Sequence, residues 1–325
     1  MFPNIIGHKN VTSFLEKSLK NEEISHAYLF YGPAHLGKKT VAEKFSEAVL
    51  GQPILNHPDV YLVARERDEK ENKLAKNISI EQVRELERKL SLSSFLNSYK
   101  IGIIEEAEKM SSEAANSLLK TLEEPTPKTV IILLSASVSA LPATIVSRCQ
   151  TLKFLPVAQE KIYDHLLNLG ANRDEARDLA GISFGKPGVA LDFWQNKKQE
   201  GPSAMAEYEE RANGVIGLMN GKTLRDRMRV FEEILAGESC AEDSFGELNQ
   251  VLFLWTSFLR DAVLIKNGCS ELVANTKFSD DLKKIANRAS PEFFTKLYRE
   301  IRLAGKYFSE NLNPRLVLEN LLLSF

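Results

Sequence analysis

The sequence predicts an α/β domain with a largely parallel sheet, followed by a remainder that is built of helices. Two observations predict this fold class. Up to about residue 157, short apolar runs rich in β-branched residues alternate with segments of helical periodicity, which is typical of strands joined by crossover helices. Beyond that point nearly every segment has helical periodicity. At 325 residues the chain is too long for one core, so we expect two or three domains.

Composition excludes several classes of protein. With 43% hydrophobic and 26% charged residues, the chain has the make-up of an ordinary soluble globular protein. A net charge of −2 and a pI near 6.3 argue against a protein that coats nucleic acid by itself, because such binding needs many phosphate-neutralising cations. No stretch is apolar and long enough to predict a membrane span, and the first residues lack the pattern of a secretory leader.

The three cysteines, Cys149, Cys240 and Cys269, are scattered and form no CxxC pair. This spacing predicts neither a disulfide framework nor a zinc site, and it suits a reducing cytoplasm.

A glycine-rich segment follows the first predicted strand. Residues 11–20 have helical spacing, residues 27–31 form a short apolar strand, and Gly32-Pro-Ala-His-Leu-Gly-Lys-Lys-Thr40 comes directly after it, before another amphipathic helix. Strand, then G-x-x-x-x-G-K, then helix is the context of a P-loop, in which backbone N–H groups and the helix N-terminus surround phosphate oxygens. Gly32, Gly37 and Lys38 stand at its expected positions.

One position of this P-loop departs from the pattern. The residue after the lysine is normally Ser or Thr, whose hydroxyl binds Mg²⁺, and here it is Lys39. Thr40 is a poor substitute, since one further residue turns it about 100° around the helix. A degenerate nucleotide site and a glycine-rich turn that binds no ligand both remain open.

An acidic motif lies further along the chain. Residues 57–62 are a candidate strand, residues 65–76 are a charge-dense loop, and Ser79 with Gln82 forms a capping-box pattern at the start of a helix. The next strand, 99–104, ends in Glu105-Glu106-Ala107-Glu108, where a nucleotide site carries a metal-shell carboxylate and a water-polarising glutamate. Glu105 and Glu106 are the candidates. The alternative is a helix N-terminus that favours negative charge.

The last elements of this region lead to Arg148. A helix over 112–124 is stopped by prolines, and the buried strand 129–134 follows it. The segment 141–149 then ends in Ser147-Arg148-Cys149. A guanidinium at such a tip is planar, permanently charged and suited to gripping phosphate. The alternatives are a solvated arginine or a salt bridge within its own domain.

Beyond residue 157 the predicted helices fall into two groups. Three short ones, 161–169, 173–180 and 188–194, form too small a body to stand alone, and the polar stretch 197–203 is a candidate linker. Longer amphipathic helices follow, without a catalytic constellation, at 207–219, 224–235, 245–265, 280–288, 291–308 and 314–323.

With the P-loop, the Glu105-Glu106 strand end, the helix Asn116 to Pro125 and the Ser147-Arg148-Cys149 tip in one order, the chain resembles the bacterial clamp-loader AAA+ subunits over essentially its whole length. The resemblance implies a nucleotide-binding-like domain at 1–157, a helical lid at 158–202 and a helical collar for oligomerisation at 203–325. It also implies a heteropentamer with motor (gamma/tau) and delta subunits of DNA polymerase III, which loads a sliding clamp onto primed DNA during replication.

Departures from the family pattern favour its delta-prime branch, a rigid subunit with weak or absent ATPase activity. Besides Lys39 and Glu105, Ala136 stands at the sensor-1 position and Gly188 at the sensor-2 arginine. The resemblance implies that Arg148 acts in trans as an arginine finger on a neighbour's ATP, and that ATP or ADP is at most an optional ligand here. The family's four-cysteine zinc module has no counterpart at 51–57, so we expect no zinc. An active gamma/tau-type motor that uses its own P-loop is the alternative, and a stand-alone AAA+ protein is a third hypothesis.

Overall fold

The computed structural model describes residues 2, 5–67, 75–96, 98–196, 204–221, 223–237, 244–309 and 312–323. The chain divides into two compact units. The first unit is Met1–His165 with Gly185–Val189, and the second unit is Leu166–Phe184 with Ala190–Phe325. The predicted linker 197–203 lies outside the described residues, as does Cys240. The three-domain division therefore stays a prediction.

The first unit is built on a parallel five-stranded sheet, which confirms the predicted fold class. The strands are β1 (Ala27–Tyr31), β2 (Val60–Val63), β3 (Lys100–Ile104), β4 (Thr129–Ser135) and β5 (Gln150–Lys153), in the order β2-β3-β4-β1-β5. Every residue of β3 and β4 is buried, as expected for strands covered on both faces.

Helices of the first unit cover the two faces of this sheet. They are α1 (Lys9–Lys20), α2 (Lys38–Leu50), α3 (Ile80–Ser91), α4 (Ser112–Glu123) and α5 (Ala143–Val146). Alternate residues of β4 point to opposite faces, so Ile131 and Leu133 pack with α3 and α4, while Val130 and Ile132 pack with α1 and α2. The predicted capping box is present: the Ser79 hydroxyl accepts from Gln82 N–H, and the Gln82 side chain accepts from Ser79 N–H.

The one-turn helix α5 was not predicted, because the sequence pattern assigned no secondary structure to residues 141–149. Pro142 precedes the helix with φ −55°, which suits a helix start. Leu141 and Ile145 are both buried against the α3–α4 side of the sheet. Tertiary burial of two apolar side chains four residues apart thus makes a helix too short for periodicity to reveal.

The parallel arrangement separates the candidate residues between two edges of the sheet. The P-loop, Glu105 and Ala136 follow the carboxyl ends of β1, β3 and β4. Arg148 instead precedes β5, whose first residue Gln150 lies beside Tyr28 near the amino end of β1. The five residues of β1 span roughly 13 Å, so Arg148 stands about that far from the P-loop edge.

Among the residues that the structure describes, the second unit is helical, as predicted. Its helices are α7 (Arg173–Ile182), α9 (Ala204–Asn220), α10 (Leu224–Gly237), α11 (Ser244–Lys266), α12 (Ser279–Arg288), α13 (Pro291–Ser309) and α14 (Pro314–Leu323). Helices α6 (Gln159–Asn168) and α8 (Pro187–Asn196) each contribute residues to both units. None of the described helices has the length and apolarity of a membrane span.

Candidate functional site

The P-loop joins β1 to α2 through two glycines with different surroundings. Gly32 has φ 146°, and a Cβ added to it would lie 2.4 Å from the carbonyl oxygen of Phe154, so only glycine fits between β1 and the chain after β5. Gly37 has φ 83°, and an added Cβ would meet nothing within 4 Å. The loop is therefore tightly held where it leaves the sheet and open where it enters α2.

Lys38 is the first residue of α2 and turns back over the loop. Its ammonium donates to the carbonyl oxygens of Gly32 at 2.5 Å and Pro33 at 2.7 Å. Burial lowers the pKa of Lys38, and the nearby Glu108 carboxylate opposes that shift. The lysine thus lies where a P-loop lysine is expected, with its donors on the loop's own backbone.

Lys39 and Glu105 meet directly. The Lys39 ammonium lies 2.6 Å from Oε1 of Glu105, which follows the carboxyl end of β3. The adjacent Glu105 carboxylate raises the pKa of Lys39, although their close contact lacks the angles of a hydrogen bond. Thr40 is exposed in the first turn of α2. The two positions that would share a metal ion therefore share an ion pair between side chains of this chain.

Glu106 does not join this pair. Its backbone is left-handed with φ 46°, and its carboxylate accepts two hydrogen bonds from Arg65, at 2.7 Å from Nε and 3.1 Å from the second guanidinium nitrogen. This fork-on-carboxylate geometry fixes both oxygens of Glu106. Arg65 comes just after β2, in the stretch that the sequence analysis treated as a solvated loop, whose residues 68–74 lie outside the described structure.

Glu108 is the site residue that sequence reasoning missed. Its Oε1 accepts the N–H of Ala136, the sensor-1 position, at 3.1 Å, and its Oε2 is buried without a hydrogen-bond partner among the described residues. Its charge also reaches Lys38. The acidic run 105–108 was the available signal, but it does not reveal which carboxylate turns toward the P-loop.

Gly188, at the sensor-2 position, packs its backbone on the P-loop. Its N–H donates to the His35 carbonyl at 2.9 Å, and an added Cβ would lie 3.0 Å from that oxygen and 3.2 Å from the His35 Cα. Such distances are tighter than ordinary van der Waals contact, so a larger residue here would displace backbone. The close approach explains a glycine in this place.

The P-loop, Lys38 and the pair of Lys39 with Glu105 fit a phosphate better than a metal ion. Space around Gly37 is open, and the N-terminal turn of α2 has no side-chain cap on its N–H groups, which suits an anion beside Lys38. Magnesium requires oxygen ligands, and the ammonium of Lys39 already lies on the carboxylate that would supply one. A nucleotide would be held by the loop backbone and Lys38, which would supply charge neutralisation.

Arg148 lies at the opposite edge of the sheet and is partly exposed. One guanidinium nitrogen donates to Oε1 of Glu123 at 2.6 Å, and the other donates to the carbonyl of Thr144 at 2.9 Å. Glu123 is exposed at the end of α4. The next residue, Cys149, packs against the core, and burial raises the pKa of its thiol to about 12. The Arg148 guanidinium therefore lies at the surface, while the next side chain, Cys149, packs against the core and holds this segment in place.

Two family models match the chain. The DNA polymerase III delta subunit matches residues 7–158, and the C-terminal part of the DNA polymerase III delta subunit matches residues 242–325. Together these matches take in more than half of the chain.

Two curated relatives of this chain are subunits of DNA polymerase III. The chain is 32% identical over 169 residues to DNA polymerase III subunit tau of Bacillus subtilis, covering 50% of this chain and 30% of tau. It is 32% identical over 189 residues to subunit delta' of the same organism, covering 53% of this chain and 55% of delta'. The chain thus spans about half or less of the length of these two relatives. A gamma subunit-related protein of Thermotoga maritima aligns over 95% of this chain and 97% of its own, at 22% identity and a TM-score of 0.42.

Proposed function

The chain belongs to the DNA polymerase III clamp-loader family, and from this premise we propose that it is a delta-prime-type subunit that supplies Arg148 to a neighbour. In this proposal it is a rigid member of a hetero-oligomer with motor (gamma/tau) and delta subunits. The complex places a sliding clamp on primed DNA in the cytoplasm during replication. The chain's own ATPase activity is weak or absent.

The observation that carries the proposal is the position of Arg148 relative to its own P-loop. The two stand at opposite edges of one parallel sheet, about 13 Å apart. An arginine side chain cannot bridge that distance, so a nucleotide that Arg148 contacts has to belong to another chain. The partly exposed guanidinium, held by the surface carboxylate of Glu123, is available to such a partner.

The side-chain contacts at the chain's own P-loop support weak or absent ATP hydrolysis. Lys39 lies on Glu105, Glu106 is bound by Arg65, and Gly188 leaves no space for a sensor-2 arginine. Phosphoryl transfer depends on metal and cationic groups that neutralise the developing charge. The side chains that would provide them are absent or already paired.

Reconstitution with the motor and delta subunits tests the proposal. Arg148→Ala is expected to lower hydrolysis at the interface it serves by about 10³-fold, because an arginine finger stabilises the transition-state charge. Arg148→Lys is not expected to restore it, since an ammonium lacks the planar fork. The measurements are DNA- and clamp-stimulated ATPase of the complex and the melting temperature of the isolated chain.

Glu123→Ala is the matched control, because it removes the intramolecular partner of Arg148 and keeps the arginine. It should leave stimulated hydrolysis intact or raise it, since the guanidinium becomes free to reach the neighbour. If Arg148→Ala and Glu123→Ala instead lower the melting temperature together and leave hydrolysis unchanged, Arg148 is a structural residue of its own domain and the proposal fails.

The second candidate function is an active motor subunit of the gamma/tau type. The observation in its favour is the 32% identity to subunit tau, equal to that for subunit delta'. Steady-state ATPase of the isolated chain discriminates the two. Turnover comparable to that of a working AAA+ motor would decide for the motor, whereas we expect little or none.

We also propose that the chain holds no zinc. The three cysteines are dispersed along the sequence, and Cys149 and Cys269 are free in the described structure. A structural zinc site needs four ligands that are brought together. Stoichiometric zinc in a chelator-washed sample, measured by elemental analysis, would contradict this proposal.

A further inference from the structure

The ion pair between Lys39 and Glu105 occupies two positions that a P-loop site gives to a divalent cation. Lys39 stands in the first turn of α2, where the pattern has a hydroxyl ligand, and Glu105 stands at the end of β3, where the pattern has an acidic one. Their side-chain atoms lie 2.6 Å apart, which is direct contact with no room for an ion between them.

Charge and ligand chemistry both oppose a metal ion here. Magnesium is bound by oxygen atoms, and an ammonium is a donor with no lone pair to offer. A divalent cation beside Glu105 would also face the positive charge of Lys39, which the carboxylate no longer neutralises once it binds the metal. Glu43, one turn further along α2, is the other carboxylate whose charge acts on Lys39.

The start of α2 nevertheless still offers donor groups to a phosphate. Gly37 is open, the first turn of α2 is uncapped, and Lys38 is held by two loop carbonyls that a phosphate oxygen could replace. The side chain of Lys39 is 50% exposed, so ammonium protons that do not point at Glu105 remain accessible to an anion. A fixed monovalent charge therefore lies where an exchangeable divalent one would be expected.

We propose that the ammonium of Lys39 takes the place of the divalent cation beside Glu105, and that this site binds a nucleoside diphosphate without metal. The positive charge that magnesium would otherwise bring with the nucleotide is supplied by the side chain of Lys39. The site thus keeps a binding role after losing the geometry of hydrolysis.

Isothermal calorimetry of ADP on the isolated full chain tests this, once in EDTA and once in excess Mg²⁺. In the unaltered chain the two affinities should agree within about threefold, because no metal contributes. In the double variant Lys39→Thr with Glu105→Asp, which restores a hydroxyl and a shorter carboxylate, Mg²⁺ should tighten ADP binding by about tenfold or more. Lys44→Thr is the matched control, since Lys44 pairs with Glu47 at 2.7 Å on the same helix and should leave the affinities unchanged.

Two results would overturn the proposal: a tenfold gain from Mg²⁺ in the unaltered chain, or no ADP binding under either condition. Should the double variant fail to fold, electron paramagnetic resonance of Mn²⁺ with the unaltered chain and ADP decides alone, with bound Mn²⁺ counting against the proposal. The inference concerns the P-loop of the isolated chain. Its failure is therefore distinguishable from that of the Arg148 proposal, which is measured in the reconstituted complex.

Discussion

The two edges of the parallel sheet carry ion pairs of equal length in different surroundings. At the carboxyl edge, Lys39 lies 2.6 Å from Glu105, whose side chain is 24% exposed. At the amino edge, Arg148 lies 2.6 Å from Glu123, whose side chain is 51% exposed. The first pair joins α2 to the end of a fully buried strand, whereas the second joins two surface segments.

Two ion pairs of equal length therefore differ in burial and in position, and their position determines which other groups each can contact. At the P-loop, the pair joins two side chains at positions that the P-loop pattern gives to metal ligands. A pair at the surface, on the edge away from the P-loop, costs little to exchange for another anion, because exposed pairs contribute only about 0–1 kcal/mol. Under the proposals above, the same kind of ion pair therefore takes two groups away from metal binding at one edge and leaves an exchangeable guanidinium at the other.

The largest expected effect concerns Cys149, the anchor of the amino edge. Burial raises the pKa of its thiol to about 12, so the reactive thiolate is scarce near pH 8. We expect iodoacetamide to alkylate Cys149 at least about tenfold more slowly than Cys269 in the folded chain, and at similar rates in urea. Peptide mass spectrometry over time measures both rates in one sample.

The raised pKa of Cys149 also determines how the stability of the folded chain depends on pH. The folded chain holds a proton that the unfolded chain releases above the ordinary thiol pKa of about 8.5, so stability should fall as pH rises from there toward 12. Cys149→Ser is the control, because it removes this titration. Equal alkylation of the two cysteines would mean that the tip bearing Arg148 is not anchored, and the contrast between the edges would lose its basis.

The next effect concerns the anchor of the carboxyl edge. Gly32→Ala places a Cβ 2.4 Å from the Phe154 carbonyl, and we expect it to lower the free energy of unfolding by about 3 kcal/mol. Gly37→Ala is the matched control, since its Cβ meets open space and only the left-handed backbone costs energy, about 1 kcal/mol. Urea unfolding followed by circular dichroism compares them, with hydrogen exchange assigning the transition to the first unit. Equal losses would show that the loop is not pinned at Gly32.

Periodicity and turn chemistry predicted most of the fold. The capping box at Ser79, the buried run of β4 and the long helices of the second unit appear where the sequence placed them. The helix α5 escaped prediction because one turn has too few residues for periodicity, and burial of Leu141 and Ile145 makes it.

The candidate site was harder to predict, because side-chain direction at strand ends depends on local backbone. Glu105 and Glu106 are neighbours in sequence, yet one meets Lys39 and the other meets Arg65, since the left-handed φ of Glu106 turns the chain between them. Glu108 accepts the N–H of Ala136 at the sensor-1 position because the backbone turns locally, and the pattern of charges in the sequence does not predict that turn. The pair of Arg148 with Glu123 joins residues 25 apart, and only the packing of α4 beside α5 brings them together.

The smallest expected effect tests the comparison of the two edges directly. Double-mutant cycles with alanine at Lys39 and Glu105, and at Arg148 and Glu123, measure the coupling energy of each pair in the isolated chain. We expect up to about 1 kcal/mol for the first pair, whose carboxylate is the less exposed, and about 0.3 kcal/mol for the second. Both couplings should shrink in 1 M NaCl, because salt screens exposed charges over about 3 Å. A cross cycle of Lys39 with Arg148 is the control, because residues at opposite edges of the sheet without shared partners should be additive within about 0.5 kcal/mol. A coupling at Arg148 equal to or above that at Lys39 would mean that the guanidinium is committed to its own domain, and an arginine bound that firmly would not be free to serve a neighbour.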